Sequence, residues 1–496
     1  MFKKVFGALA ILALTLTTGA CAPAPKPKAV GDLPSVYGQE LKTHKCGDYL
    51  CGTIDAPINW SKPEEETFKL SFTYKPVKGV TKFLFVNPGG PGASGVDLVT
   101  ENLDTVGTEA LRKAYNIVGF DPRGTKGSNP IKCLDAKRMD DFLYNDSGFP
   151  VGSPQDLAAG RKAIAAFAKA CKENTGPILG QVDTVSSAKD LDLLRAVFGQ
   201  TKLDYLGYSY GTFLGTTYAA LFPKNVGRFV LDGAIDPTVS DEDQSYNQLV
   251  GFDLALRNYM KDCIANQSDC PFSGSIEQGL SRISQFFSQL ESKPLKSSDG
   301  REVGLATAST GLYMTLYSND YWTYLTQAFN QAFDDQDGYT FIQLADFYND
   351  RNQDGTYSTN MFEAFISINC LDGRSDSSAE AQARQNNRML AASPTLGRLW
   401  QNGAELCAHW PYPVAERPAS FAAEGAPTIL VIGTTADPAT PYQQAVDLAH
   451  KVLAKGFLLT YEGEGHTAYG RSNSCVSNVV DDFLIKGELP TSEPTC

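Results

Sequence analysis

Blocks of positive charge are missing from this chain. Its 496 residues carry 43 Lys and Arg against 56 Asp and Glu, a formal charge of −13, and the basic residues form no cluster. Phosphate backbones and anionic lipid surfaces are gripped by clustered cations, so no nucleic acid partner is expected. Metal-ligand spacing is missing too. Only four histidines are present, none repeated at ligand spacing, and no two Cys-x-x-Cys motifs occur. No metal or other cofactor is expected. Internal repeats and low-complexity tracts are absent apart from one short proline-rich stretch, which excludes solenoids and fibres. What remains is a long chain with 42% hydrophobic residues, enough for a large core divided over two or three domains.

The longest apolar run lies at the start. Met1-Phe2-Lys3-Lys4 is followed by a largely apolar stretch over 5–16 and then Thr17-Thr18-Gly19-Ala20-Cys21. The run is too short to span a bilayer and ends in small residues, so 1–20 reads as a secretory signal. The small-small-Cys ending resembles the lipobox of bacterial lipoproteins, in which Cys21 becomes the acylated N-terminus, although Thr18 stands where Leu is usual. Cleavage after the Ala20-Cys21-Ala22 pattern is the rival, with Pro23 placed to hinder it. On the first reading, 21–44 is a tether carrying Pro23, Pro25, Pro27 and Pro34, and the protein is exported, either held on the outer face of the membrane by a lipid on Cys21 or secreted. Ten cysteines then remain of the eleven, an even number that suits an oxidising compartment. Their order favours local bridges: Cys46 with Cys51, Cys133 with Cys171, Cys263 with Cys270, Cys370 with Cys407, and Cys475 with Cys496.

Continuous apolar runs at 83–86, 115–120, 203–207 and 228–232 alternate with helical stretches, and the rhythm returns at 427–433 and 456–461. Such strands belong to a mostly parallel sheet covered on both faces, so the fold class is α/β. Between them, 237–425 reads as largely helical and rich in Tyr, Phe, Gln and Asp. The expected organisation is a core at 45–236 and 426–496 interrupted by a helical cap at 237–425. Within the cap, Asp350-Arg351-Asn352-Gln353-Asp354-Gly355 imitates the opening of an EF-hand loop, but its twelfth position is Met361 instead of the required Glu, so a turn between helices is expected there.

Gly207-Tyr208-Ser209-Tyr210-Gly211 follows one of these strands directly and opens a helix. A serine on such a strand-to-helix turn has its hydroxyl exposed beside a helix N-terminus, the arrangement a nucleophile needs. Serine also needs a base. His44 lies in an N-terminal arm, His409 in the cap and His450 within a helical run, whereas His466 follows the last strand on the glycine-rich loop Glu462-Gly463-Glu464-Gly465. The orienting acid should precede that histidine and end a strand, which selects Asp437, with Asp232 as the fallback. Two backbone amides are expected to meet the oxyanion. One is that of Tyr210. The other comes from Asn87-Pro88-Gly89-Gly90-Pro91-Gly92, with Gly90 chosen and Gly89 the alternative.

These elements, with Asp121-Pro122-Arg123-Gly124, Leu231-Asp232-Gly233, Asp437-Pro438-Ala439-Thr440-Pro441 and Gly465-His466-Thr467, together resemble the secreted tripeptidyl aminopeptidase and prolyl iminopeptidase branch of the α/β-hydrolases. The likeness runs to Cys496 and includes the C-terminal TAP-like segment; one departure is Asn87, where iminopeptidases have His. The resemblance implies an α/β-hydrolase sheet with an inserted cap and a serine exopeptidase that removes short peptides from free N-termini. Such an enzyme must hold an α-ammonium group. Asp372 and Glu405, brought together if Cys370 pairs with Cys407, are the expected carboxylates. Two alternatives use the same residues: a cell-envelope carboxylesterase or lipase, and a binding lipoprotein with an idle triad.

Overall fold

The structure is a computed structural model and describes residues 34–496. The expected signal and the lipidation site Cys21 lie outside the described residues, as do Pro23, Pro25 and Pro27 of the tether. Residues 34–44 are not a free tether. Tyr37 donates to Asp192 at 3.1 Å and the Gln39 side chain donates to the carbonyl of Asp55 and accepts its N–H, both at 2.7 Å, so the chain is docked on the core from Pro34 onward.

In chain order the strands are β1 (His44–Cys46), β2 (Tyr49–Pro57), β3 (Thr67–Tyr74), β4 (Phe83–Asn87), β5 (Asn116–Phe120), β6 (Leu203–Tyr208), β7 (Val226–Asp232), the small ribbon β8 (Leu295–Lys296) and β9 (Glu302–Val303), then β10 (Ile429–Ala436) and β11 (Gly456–Glu464). Nine of them form one sheet in the order β1-β2-β3-β5-β4-β6-β7-β10-β11. From β5 to β11 the neighbours are parallel; β1, β2 and β3 join antiparallel, with Phe72 opposite Phe120. The apolar runs that mark strands in the sequence begin at Phe83 and leave out these three. Their alternating, half-exposed pattern lacks the continuous apolar run that marks a strand buried on both faces.

Because side chains alternate across a strand, the two faces separate cleanly. Phe85, Val118, Tyr205, Phe229, Leu231 and Val431 join one buried cluster, while Leu84, Val86, Ile117, Leu206, Val230 and Ile432 join another on the opposite face. The cap has a third cluster of its own, built from residues such as Leu256, Phe287, Leu312, Phe329 and Phe341. The cap segment is not uniform, however. Ala364, Ile366, Ile368 and Leu371 of the helix Met361–Asp372, together with Trp410 and Ala423, are buried with the first sheet cluster. The Asp350 to Asp354 segment is a turn in which Asp354 accepts from Thr356 and Asp350 accepts from Thr359.

The Asp121-Pro122-Arg123-Gly124 motif is structural. Arg123 is fully buried and spends every N–H: its fork meets Asp190 at 2.7 and 2.6 Å, and the rest donate to the carbonyls of Pro57, Ile58 and Gln181. Asp121 accepts from Ser94 and Val96 at the start of the helix Gly95–Glu101 and from Gly127, which fixes the chain that leaves the β4 loop.

Candidate active site

Ser209 stands between β6 and the helix Tyr210–Leu221 with φ 55° and ψ −124°. A non-glycine residue there is strained, and the strain is held by its surroundings. The Ser209 N–H donates to the Asp232 carbonyl at the end of β7, 2.9 Å away. Gly207 is required because a Cβ would stand 2.3 Å from the Gly211 carbonyl oxygen, closer than carbon and oxygen can approach. At the helix N-terminus beside the serine, the amide of Tyr210 has no hydrogen-bond partner among the described residues.

His466 lies on the loop after β11 and Asp437 on the loop after β10, where a register shift between Thr434 and Ala436 re-aims the chain just before the acid. Nδ1 of His466 is 2.9 Å from both Oδ1 and Oδ2 of Asp437. Asp437 is buried and accepts further bonds from the amides of Ala439, Thr440 and Thr467 and from the Thr440 hydroxyl. The opposite imidazole nitrogen, Nε2, is buried and has no hydrogen-bond partner among the described residues. The cap supplies the last restraint: the His466 N–H donates to the Tyr317 carbonyl at 2.8 Å, and the Tyr317 ring stands edge-on to the imidazole at 5.6 Å. Thr440 lies within the motif that carries Asp437, whereas nothing local marks Tyr317, whose ring and carbonyl act on His466 from a distant part of the chain.

Asp232, the fallback acid, is occupied elsewhere. Its carboxylate accepts from the amides of Ala468 and Tyr469, so it anchors the chain just after His466 and does not meet the imidazole. Burial pushes its pKa up to about 6.

The β4 loop passes over the elbow. A Cβ on Gly89 would lie 2.9 Å from that of Ser209 and 2.7 Å from the Tyr208 carbonyl oxygen, so only glycine fits at its φ of +100°. The Gly89 N–H is committed to Asn87 Oδ1 at 3.0 Å. Gly90 makes no such bond among the described residues.

The two carboxylates expected to hold an amine have different surroundings. Cys370 and Cys407 are bridged, as are Cys46–Cys51, Cys133–Cys171, Cys263–Cys270 and Cys475–Cys496. Glu405 is nevertheless spent, paired with Arg161 at 2.7 Å and accepting from Gln382 at 2.8 Å, and is withdrawn as an amine ligand. Asp372 has no such cation within ion-pair distance among the described residues. It accepts from the Thr184 amide at 2.7 Å and the Thr184 hydroxyl at 2.6 Å. Since that hydroxyl has one hydrogen, Tyr210 must donate to Thr184, 2.6 Å away, and a chain of bonds joins Asp372 to the residue after the serine. Burial raises the Asp372 pKa to about 7, with Asp183 adding to the rise and Arg417 opposing it.

Residues 393–496 match the family described as TAP-like protein, so the match begins at Ser393, inside the segment read from sequence as cap. Over 462 residues the chain is 33% identical to serine protease Hip1 of Mycobacterium tuberculosis, covering 91% of this chain and 88% of that protein. The chain belongs to the TAP-like branch of the α/β-hydrolases. Within this family it is also 34% identical to carboxylesterase B of Mycobacterium tuberculosis, over 90% of this chain and 86% of that one. It is 28% identical to the tripeptidyl aminopeptidase of Streptomyces lividans, over 90% and 83%.

Proposed function

We propose that the protein is a serine exopeptidase that releases short peptides from free N-termini through an acyl-enzyme. The observation that carries this reading is the buried imidazole of His466, fixed at Nδ1 by Asp437 and unpartnered at Nε2. Nδ1–H bonded to the carboxylate leaves Nε2 as the acceptor for a proton. Ser209 attacks the scissile carbonyl as its hydroxyl proton passes to Nε2, and Asp437 stabilises the imidazolium that forms. The amides of Gly90 and Tyr210 receive the oxyanion. The imidazolium then protonates the departing amine, and water, activated by the same base, releases the acyl group.

Asp372 is the anchor for the substrate's α-ammonium. It stands one tyrosine side chain and two hydrogen bonds from the elbow backbone, which suits an acyl group longer than one residue, since each extended residue spans about 3.3–3.6 Å. The relatives named serine protease and tripeptidyl aminopeptidase support peptide chemistry. The one named carboxylesterase B keeps ester hydrolysis as the second reading. Five disulfide bridges favour an oxidising compartment and hence export. No helix among the described residues is long and apolar enough to cross a membrane, and attachment through a lipid on Cys21 is the proposed link to one.

The deciding experiment compares a tripeptide amide with its N-acetylated form on the purified protein. Preference for the free amine, abolished in Ser209→Ala, is expected. Equal turnover of both, or turnover of simple esters alone, defeats the peptidase reading. Failure of a fluorophosphonate probe to label Ser209 in folded protein would instead favour a binding protein with an idle triad.

A further inference from the structure

Away from the serine, a cavity of about 230 Å³ opens between the core segment around Leu134 and Met139 and the start of the helix Met361–Asp372. Leu134, Met139 and Phe362 give it apolar wall; Tyr357, Asn360 and Glu363 give it polar groups. The first two of these polar groups are already committed. Tyr357 donates to Asp140 at 2.7 Å, and Asn360 donates to the carbonyls of Gly124 and Ile131. Asp140 is itself paired with Arg351, so neither charge is available to a ligand.

Glu363 is different. It is 8% exposed, and its Oε1 accepts from the amides of Cys133 at 2.8 Å and Leu134 at 3.4 Å. Among the described residues no Lys, Arg or His lies within ion-pair distance of it, and no donor reaches Oε2. Several other buried acids are met more fully. Asp190 is paired with Arg123 and Glu405 with Arg161, while Asp121 and Asp232 receive donors on both oxygens. Oε2 is not sealed in the interior and opens to the cavity, while burial of the rest of the side chain raises the Glu363 pKa. A cation entering the cavity would meet that open oxygen.

We infer that this cavity is a second binding site, for a small organic ammonium ion whose charged head meets Glu363 and whose apolar body packs on Leu134, Met139 and Phe362. The volume is ample for a body of four or five carbons, given roughly 30 Å³ for a water-sized group. The site is separate from the serine's cleft. Glu363 faces the cavity, while Ala364 and the Met361 carbonyl of the same helix back the β4 loop, where a Cβ on Gly92 would lie 2.8 Å from either.

The test titrates n-butylammonium, with n-butanol as its neutral counterpart, into the full chain by calorimetry. The chain carries Asp372→Asn so that the proposed amine anchor is silent. Saturable binding in the low millimolar range is expected for the ammonium, the strength open to a ligand of about five heavy atoms. Glu363→Gln keeps an acceptor for the two amides and so the fold, and it should weaken binding about tenfold. Ala136→Phe fills the cavity with Glu363 intact and should abolish binding. No saturable heat, equal binding of butanol, or unchanged affinity in either variant would overturn the proposal.

Discussion

Asp437 meets His466 with both carboxylate oxygens, Oδ1 and Oδ2 each lying 2.9 Å from Nδ1. The other bonds to this carboxylate come from the backbone of its own loop, from Thr440 and from the amide of Thr467, so the acid is held before the histidine turns to it. Asp437→Asn therefore keeps the size of the side chain, with its oxygen on the Ala439 and Thr440 amides, but sets an NH2 where Oδ2 accepted from Thr467 and favours the wrong imidazole tautomer. A loss in kcat of about 10⁴ is expected with little change in KM. Asp232→Asn, which loosens only the chain after His466, should lose much less. Steady-state kinetics on the tripeptide amide separates the two, and equal losses would exchange their roles.

The acid limb of kcat/KM should carry the ionisation of Asp372. Its folded pKa is raised to about 7 against an ordinary value of 3.8. An ammonium is held only by the ionised form, so capture weakens as pH falls through about 7. Asp372→Asn should lower kcat/KM above that pH and remove this ionisation from the profile. Stability runs the other way. The folded chain binds the proton more tightly than the unfolded one, so the stabilisation is complete below about pH 4 and is lost as pH rises to about 7. Thermal unfolding across that window should be flatter for Asp372→Asn than for the native protein.

The parallel half of the sheet and the elbow were legible in the sequence because each is local: a buried strand reads as a continuous apolar run, and Gly207 to Gly211 act through their own backbone. The chemistry of Glu405 was not legible. Its nearness to Cys407 is a fact of sequence, but its pairing with Arg161, 244 residues earlier, is a fact of packing. β1, β2 and β3 were missed for a related reason, since their exposure alternates and only their partner β5 shows that they extend the sheet. The helix Met361–Asp372 reads as cap by its helical neighbours, yet buries its apolar face with the sheet and backs the β4 loop.

Tyr317 ties the position of the base to the cap. Its carbonyl accepts from the His466 N–H, and its ring edge packs on the imidazole. The ring, and not its hydroxyl, contacts the histidine. Tyr317→Phe should accordingly keep kcat within a few-fold, while Tyr317→Ala frees the imidazole to shift and should cost about 10², the scale of a 1 Å misplacement. Equal kinetics in the two variants would show that the ring does not position the base.

The Cys370–Cys407 bridge closes a loop of sequence separation 37 and sits two residues before Asp372. Removing it by the double change Cys370→Ser and Cys407→Ser releases the C-terminal end of the helix Met361–Asp372, whose other residues remain buried against the sheet. A stability loss of about 2–4 kcal/mol is expected from the freed chain entropy of the unfolded state. The triad lies on other loops and keeps its bonds, so the kinetic effect should fall on substrate capture: KM for the free tripeptide amide rises, kcat holds, and hydrolysis of a simple ester that carries no amine is unchanged. A fall in kcat for both substrates would mean that the bridge supports the serine and its loop instead of Asp372.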